Sequence, residues 1–125
     1  MLFDTEFLIA ASGQRGKPLR GRALAFLASR TEPLFTSRVC WSEFAEGYTD
    51  FAAVNRDLAL YAVLEVDETV AWQASRLARA LKASGQPIAD NDFWIAATAL
   101  EFGLPLVSNN KKHFARIPGL DLRNY

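Results

Sequence analysis

Short apolar segments alternate with segments of helical periodicity along the whole chain. We predict strands at residues 1–3, 34–36, 63–66, 104–108 and 120–122. Between them, apolar side chains recur at helical spacing, most clearly at Val70, Ala74, Leu77 and Leu81. Strands separated by helices predict an α/β fold of three layers with a mostly parallel central sheet.

The helical segments have recognisable ends. We predict that the first strand opens directly into a first helix at Thr5. Further helices are predicted at residues 19–30, 41–48, 70–81 and 93–102, with a helical stripe from Phe51 to Tyr61. Residues 58–66 are compatible with either a helix or a strand. Gly85 stands just past the helix at residues 70–81, where a glycine commonly closes a helix.

The size and charge of the chain limit the classes of function. Its 125 residues suit one domain, residues 1–125, and a hydrophobic share of 50% allows a real core. Fourteen basic and fourteen acidic residues cancel. This balance argues against a protein that coats nucleic acid non-specifically, but not against a nucleic-acid enzyme whose basic residues are clustered.

The compartment follows from cysteine usage and hydropathy. Cys40 is the only cysteine, so no internal disulfide can form. No apolar run is long enough to span a bilayer, and the start of the chain lacks the features of a signal peptide. We therefore expect a cytoplasmic protein with no membrane partner.

Polar side chains are predicted to gather at one edge of the sheet. In α/β proteins the carboxyl ends of parallel strands and the amino ends of the helices share the edge where ligands bind. Asp4 ends the first strand, and Glu43 is predicted in the first turn of the helix after the second strand. The other polar residues at this edge are Asp90 and Asp92, which open the Ala-rich helix, and Asn109 and Asn110, which follow the 104–108 strand.

Carboxylates brought together repel one another unless a cation compensates them. Oxygen ligands from Asp, Glu and Asn suit Mg²⁺ or Mn²⁺, and the absence of a Cys/His cluster disfavours zinc. Such an ion promotes phosphodiester hydrolysis by polarising a phosphoryl oxygen and activating water.

Each of these side chains also has an ordinary structural interpretation. Asp4 can cap the first helix, Glu43 can be a solvated helix acid, and the two asparagines can be turn residues. For Asp90 we favour a capping role on a helix beginning near Asn91, which leaves Asp92 as the better candidate ligand. The joint placement outweighs the individual structural interpretations.

Four segments in order resemble the motifs of PIN domains and, within them, of VapC toxins. They are residues 2–9 (LFDTEFLI), 42–47 (SEFAEG), 88–97 (IADNDFWIAA) and 106–114 (LVSNNKKHF), the last followed by residues 117–120 (IPGL). The resemblance runs from end to end of the chain.

This resemblance implies a PIN fold and a VapC-type toxin of a bacterial toxin–antitoxin pair. It implies a Mg²⁺-dependent endoribonuclease that often acts on tRNA, forms a homodimer, and has a VapB-like antitoxin that covers the acidic edge. The metal ligands of the family correspond to Asp4 and Asp92, with Glu43 as the third acid. The fourth catalytic position is Asn110, where the family often has Asp, so we expect Asn110 to orient a water or a carboxylate.

Supporting roles are expected for neighbours of these acids. Glu6 stands where the family commonly has Asn, and it adds charge beside Asp4; Asp90 and Asn109 are the other expected supporting residues. His113 is expected to be a surface or packing residue, because nothing pairs it with a nucleophile.

Two basic clusters are candidates for RNA contact. Lys111, Lys112 and Arg116 lie just beyond Asn110 and are expected to contact the RNA backbone. The other cluster comprises Arg15, Lys17, Arg20 and Arg22. For that cluster an ordinary solvated face is an equal alternative.

Three rival functions remain open from the residues alone. A phosphate-accepting signalling domain would use Asp67 as acceptor, with Lys111 or Lys112 as the phosphate partner. A haloacid-dehalogenase-type phosphatase would use Asp4, although its motif requires a second Asp at the position of Glu6. A catalytically dead module that binds RNA or protein is compatible with Asn110.

Overall fold

The structure, a computed structural model, describes residues 1–14 and 18–125. Within these residues the chain forms five strands and seven helices. The strands are β1 (Leu2–Phe3), β2 (Phe35–Ser37), β3 (Ala62–Leu64), β4 (Leu106–Val107) and β5 (Leu122–Arg123). The helices are α1 (Thr5–Ser12), α2 (Pro18–Ala28), α3 (Arg38–Ala45), α4 (Phe51–Asp57), α5 (Glu68–Ala83), α6 (Asp90–Glu101) and α7 (Lys111–Phe114).

The five strands form one parallel sheet in the order β3-β2-β1-β4-β5. In the centre, Leu2 of β1 is in register with Phe35 of β2 on one side and with Leu106 of β4 on the other. The three-layer α/β fold is confirmed, and the sheet is wholly parallel. The strand order reverses between β1 and β4, and α/β proteins bind ligands beside such a reversal, at the carboxyl ends of the strands.

The central strands are buried because both faces of the sheet are covered. Leu2, Phe3, Leu106 and Val107 are all fully buried. Leu106 also follows Pro105, whose carbonyl oxygen accepts a hydrogen bond from the backbone N–H of Leu2 at 2.8 Å. The strand predicted at residues 104–108 is confirmed as β4, and the burial of both its residues is typical of a strand covered on both faces.

Side-chain caps start several helices immediately after a strand or turn. Asp4, Ser37, Asp50 and Asp67 each accept a hydrogen bond from a backbone N–H in the first turn of α1, α3, α4 and α5, respectively. The end of α5 is closed as predicted, since Gly85 has a φ of +70° just beyond it.

The structure corrects two predictions about helix starts and resolves one ambiguous stretch. Ser37 caps α3, so this helix begins at Arg38 and not near Trp41. Residue Ala89 precedes α6, which begins at Asp90 without a side-chain cap, so the prediction that Asp90 caps this helix is wrong. The ambiguous stretch at residues 58–66 contains a strand, β3, and no helix.

No helix in the described part of the chain combines the length and the apolar character that crossing a membrane requires.

Candidate active site

Asp4 lies at the carboxyl end of β1, where the chain passes directly into α1. Its side chain is buried, with 4% of the residue exposed. Its Oδ1 accepts the backbone N–H of Phe7 at 2.9 Å, and the hydroxyl of Ser108, after β4, also donates to it. The capping role considered for Asp4 is therefore real, and it holds the carboxylate at the point where β1 and β4 end.

Burial raises the pKa of Asp4 from 3.8 to about 6. Desolvation of the carboxylate is the largest cause, and the negative charges of Glu6 and Asp92 add to it, while the hydrogen bonds from Ser108 and Phe7 act in the opposite direction. The effect of Asp92 on this pKa shows that the two carboxylates lie close enough to repel. A cation at this position would relieve that repulsion.

Glu43 projects from the second turn of α3 toward the start of α1. The prediction that it lies in the first turn is wrong, because the Ser37 cap starts α3 at Arg38. Thr5, the first residue of α1, donates its hydroxyl to Glu43 Oε1 at 2.6 Å. The contact between α1 and α3 thus brings the second acid to the same edge as Asp4.

Asp92 lies in the first turn of α6, near the amino end of that helix. Its Oδ2 is 2.6 Å from Nδ1 of His113 on α7, and only 16% of the Asp92 side chain is exposed. The interpretation of His113 as a surface or packing residue missed this contact. The available signal was its position three residues after Asn110 on a short helix, a spacing that places two side chains on one face.

Asn110 precedes α7 and contacts the same histidine, with its Nδ2 3.2 Å from His113 Nδ1. Its backbone N–H donates to the hydroxyl oxygen of Ser108 at 3.0 Å. Ser108 thereby connects Asn110 to Asp4, because its hydroxyl donates to the Asp4 carboxylate.

These side chains line one cleft of about 160 Å³ at the carboxyl edge of the sheet. The residues around it are Asp4, Thr5, Glu6, Glu43, Asp92, Ile95, Asn110 and Phe114. The structure therefore brings together all four predicted catalytic positions and Glu6, although residues 4, 43, 92 and 110 are far apart in the chain.

A family model described as PIN domain matches residues 1–120, nearly the whole chain. The chain belongs to the PIN-domain family. The predicted resemblance to PIN domains is confirmed.

The relatives of this PIN domain are VapC proteins. Ribonuclease VapC19 of Mycobacterium tuberculosis is 32% identical over 95% of this chain and 95% of its own length. A tRNA(fMet)-specific endonuclease VapC of Salmonella typhimurium is 32% identical over 74% of this chain and 79% of its own. The solved structure of VapBC-1 from nontypeable Haemophilus influenzae matches with a TM-score of 0.77 and 26% identity, covering 98% of this chain and 96% of that chain. The resemblance to VapC toxins is therefore confirmed.

The cleft offers the ligands that a hard divalent cation prefers, since its acids present carboxylate oxygens. Among residues 1–14 and 18–125, however, no three side chains of Asp, Glu, His or Cys are arranged to hold a metal ion together. Each acid is turned toward a protein donor: Asp4 toward Phe7 and Ser108, Glu43 toward Thr5, and Asp92 toward His113. The chemistry of the donor set suits a hard cation such as Mg²⁺ or Mn²⁺, and these protein contacts would have to be exchanged for metal contacts on binding.

The remaining predicted site residues lie outside the lining of this cleft. Asp90 instead lines a separate hollow between α5 and α6, together with Lys82 and Trp94. The side chain of Asn109 accepts the backbone N–H of Tyr125 at 2.9 Å. This hydrogen bond fixes the position of the residues that follow β5.

The predicted RNA-binding residues of the PIN domain differ in their surroundings. Lys111 and Lys112 are exposed on α7, beside the cleft. Arg116 is half-buried, and its guanidinium donates to the carbonyl oxygen of Pro87 at 3.3 Å, which links the segment after α7 to the connection before α6. Of the other basic cluster, Arg20 and Arg22 are exposed on α2, and its remaining members, residues 15 and 17, lie outside the described residues.

Two of the three rival functions, the signalling domain and the phosphatase, find little support in this geometry. Asp67, the acceptor in the signalling hypothesis, caps α5 through the backbone N–H of Val70 at 2.9 Å and is not part of the cleft lining. Glu6, where a dehalogenase-type phosphatase needs Asp, is exposed at the rim of the cleft.

Proposed function

We propose that this PIN domain is the toxin of a bacterial toxin–antitoxin pair and that it hydrolyses RNA phosphodiester bonds in a Mg²⁺- or Mn²⁺-dependent reaction. The observation that carries the proposal is the convergence of Asp4, Glu43 and Asp92 on one cleft of a VapC-type chain. Transfer RNA is the proposed substrate class, and the tRNA(fMet)-specific relative from Salmonella supports it.

Asp4, Glu43 and Asp92 are the side chains that would hold the metal. When bound, Mg²⁺ polarises a phosphoryl oxygen, lowers the pKa of a coordinated water and stabilises the leaving oxygen. Asp4 is mostly ionised at neutral pH because its pKa is about 6. Thr5 fixes the direction of the Glu43 carboxylate through its hydroxyl.

The polar and basic residues around the acids are the proposed contacts with the RNA substrate. Asn110 lines the cleft beside Asp92 and can donate to a phosphate oxygen from its amide. Lys111 and Lys112 are exposed at the start of α7, where they can attract the RNA backbone and set its register. This local basic patch is compatible with a chain whose total charge is zero.

The proposal includes partners. We propose a homodimer in the cytoplasm and a VapB-like antitoxin that blocks the cleft; the structural neighbour from Haemophilus is described as a VapBC structure. An Arg or Lys of the antitoxin inserted among the three carboxylates would neutralise them in place of a metal.

The test is expression of the chain alone, with RNA 5′ ends mapped before and after induction. Purified protein should cut RNA with Mg²⁺ or Mn²⁺ and stop when EDTA is added. Asp4→Asn and Asp92→Asn should each abolish cleavage, whereas Asp67→Asn, an exposed capping acid outside the cleft, should retain it. Turnover that persists in both cleft variants, or an inert wild type with either metal, would reject the proposal.

A further inference from the structure

We infer that His113 is a positioning residue for Asp92: its Nδ1–H holds one oxygen of the carboxylate so that the other stays available to the metal. This inference rests on the proposed function, because it concerns how this chain prepares its own ligand. It also assigns a role to a residue that the sequence pattern left outside the site.

The contact between the two side chains is short and protected from solvent. His113 Nδ1 and Asp92 Oδ2 are 2.6 Å apart, and 32% and 16% of the two side chains are exposed. A carboxylate oxygen at that distance requires a donor, so Nδ1 carries the proton. His113 therefore donates to Asp92 from Nδ1 whether the ring is neutral or charged.

The position of that proton also determines how Asn110 is oriented. Asn110 Nδ2 lies 3.2 Å from the same ring nitrogen, but a nitrogen that carries a proton cannot accept a second one. Exchanging the amide oxygen and nitrogen of Asn110 satisfies both contacts, because Nδ1–H is then shared between two acceptors. The amide oxygen is thus committed to His113, and the NH₂ group, which cannot ligate a metal, is left to donate to an RNA phosphate.

The Asp92 carboxylate benefits from a donor because the nearby Asp4 carboxylate repels it. The Nδ1–H of His113 is the donor that the structure places beside it. A second protein group that donates to one oxygen of a metal-ligating carboxylate fixes its orientation, and loss of such a partner typically weakens metal affinity or activity about 10- to 100-fold.

The alternative is that His113 only packs α7 against α6. Three variants separate the two roles. His113→Asn keeps a donor near the place of Nδ1, His113→Gln moves the donor to about the place of Nε2, and His113→Leu removes it. Glu101→Gln, an exposed change at the opposite end of α6, is the matched control.

The experiment measures Mn²⁺ affinity of the purified protein by electron paramagnetic resonance without RNA, together with the melting temperature in EDTA. If His113 positions Asp92, His113→Leu and His113→Gln should weaken Mn²⁺ binding about 10- to 100-fold. The Mn²⁺ affinity of His113→Asn should stay within a few-fold of that of wild type. Nitrogen-15 spectra of the His113 ring should show a protonated Nδ1.

Each outcome decides between the hypotheses. Four results would overturn the positioning role while leaving the proposed function intact. Two concern His113→Leu: Mn²⁺ affinity equal to that of wild type, or tighter than it. The other two are equal losses of affinity in all three His113 variants and a His113 ring whose Nδ1 carries no proton. A wild type that binds no Mn²⁺ overturns the proposed function, and the inference with it.

Discussion

Replacing Asp4 with Asn should stabilise the metal-free protein at neutral pH, although it destroys the proposed activity. The folded protein holds this carboxylate buried, with a pKa of about 6 instead of 3.8. Since a pKa change of one unit corresponds to about 1.4 kcal/mol, keeping Asp4 ionised costs the folded state about 3 kcal/mol at pH 7. Asn removes the charge and still accepts the Phe7 N–H as a helix cap.

The sign of the pH dependence follows from the raised pKa. The native state binds a proton at Asp4 more tightly than the unfolded chain does, so the contribution of Asp4 to stability is greatest below pH 4. It is lost as the pH rises through about 6. The advantage of Asp4→Asn should therefore be small at pH 4 and should reach its full value at pH 7.

Urea unfolding in EDTA at pH 4 and pH 7 measures the stability gain of Asp4→Asn and its dependence on pH. Asp67→Asn is the matched control, because Asp67 also caps a helix but is exposed, with a pKa lowered chiefly by the backbone N–H of Val70. Its replacement should destabilise the protein at pH 7. The reasoning is refuted if Asp4→Asn is less stable than wild type at pH 7, or if its gain is the same at both pH values.

Three further outcomes are expected. Phe7→Ala should lower the free energy of unfolding in urea by about 3–5 kcal/mol, because this fully buried ring packs against Phe3 with 4.5 Å between ring centroids. A decrease below about 1 kcal/mol would contradict that packing. Thr5→Val should lower the cleavage rate with little change in melting temperature, since it removes the hydroxyl that donates to Glu43; an unchanged rate would show that this bond has no role. Replacing Lys111 and Lys112 with Gln should weaken RNA binding and reduce its salt dependence by about two phosphate contacts, read from the slope of log affinity against log salt, with Mn²⁺ affinity as the unchanged control.

The fold and the main acids could be predicted because they depend on local patterns and general topology. Apolar runs separated by helical stripes indicated a parallel sheet, and such a sheet has only one edge where Asp4, Glu43, Asp92 and Asn110 can meet. The spacing of the motifs then supported the same four positions. No side-chain geometry was needed for that step.

What the sequence did not reveal depends on how elements pack. His113 contacts Asp92 only because α7 lies against α6; its spacing from Asn110 indicates a shared helix face but does not predict that packing. The Asp90 error arose because an acidic residue is a good cap in general, whereas here Ala89 occupies the capping position. Glu43 was placed a turn too early because Ser37 had not been recognised as the cap of α3.

The pairing of β1 with β4 joins the second residue of the chain to residue 106. Ser108, which donates to Asp4, and Asn110 are held at the cleft by this long-range pairing. A partly folded chain in which β4 has not yet joined β1 lacks one wall of the cleft. Assembly of the cleft should therefore be coupled to formation of this contact, and partly folded molecules should be inert toward the RNA around them.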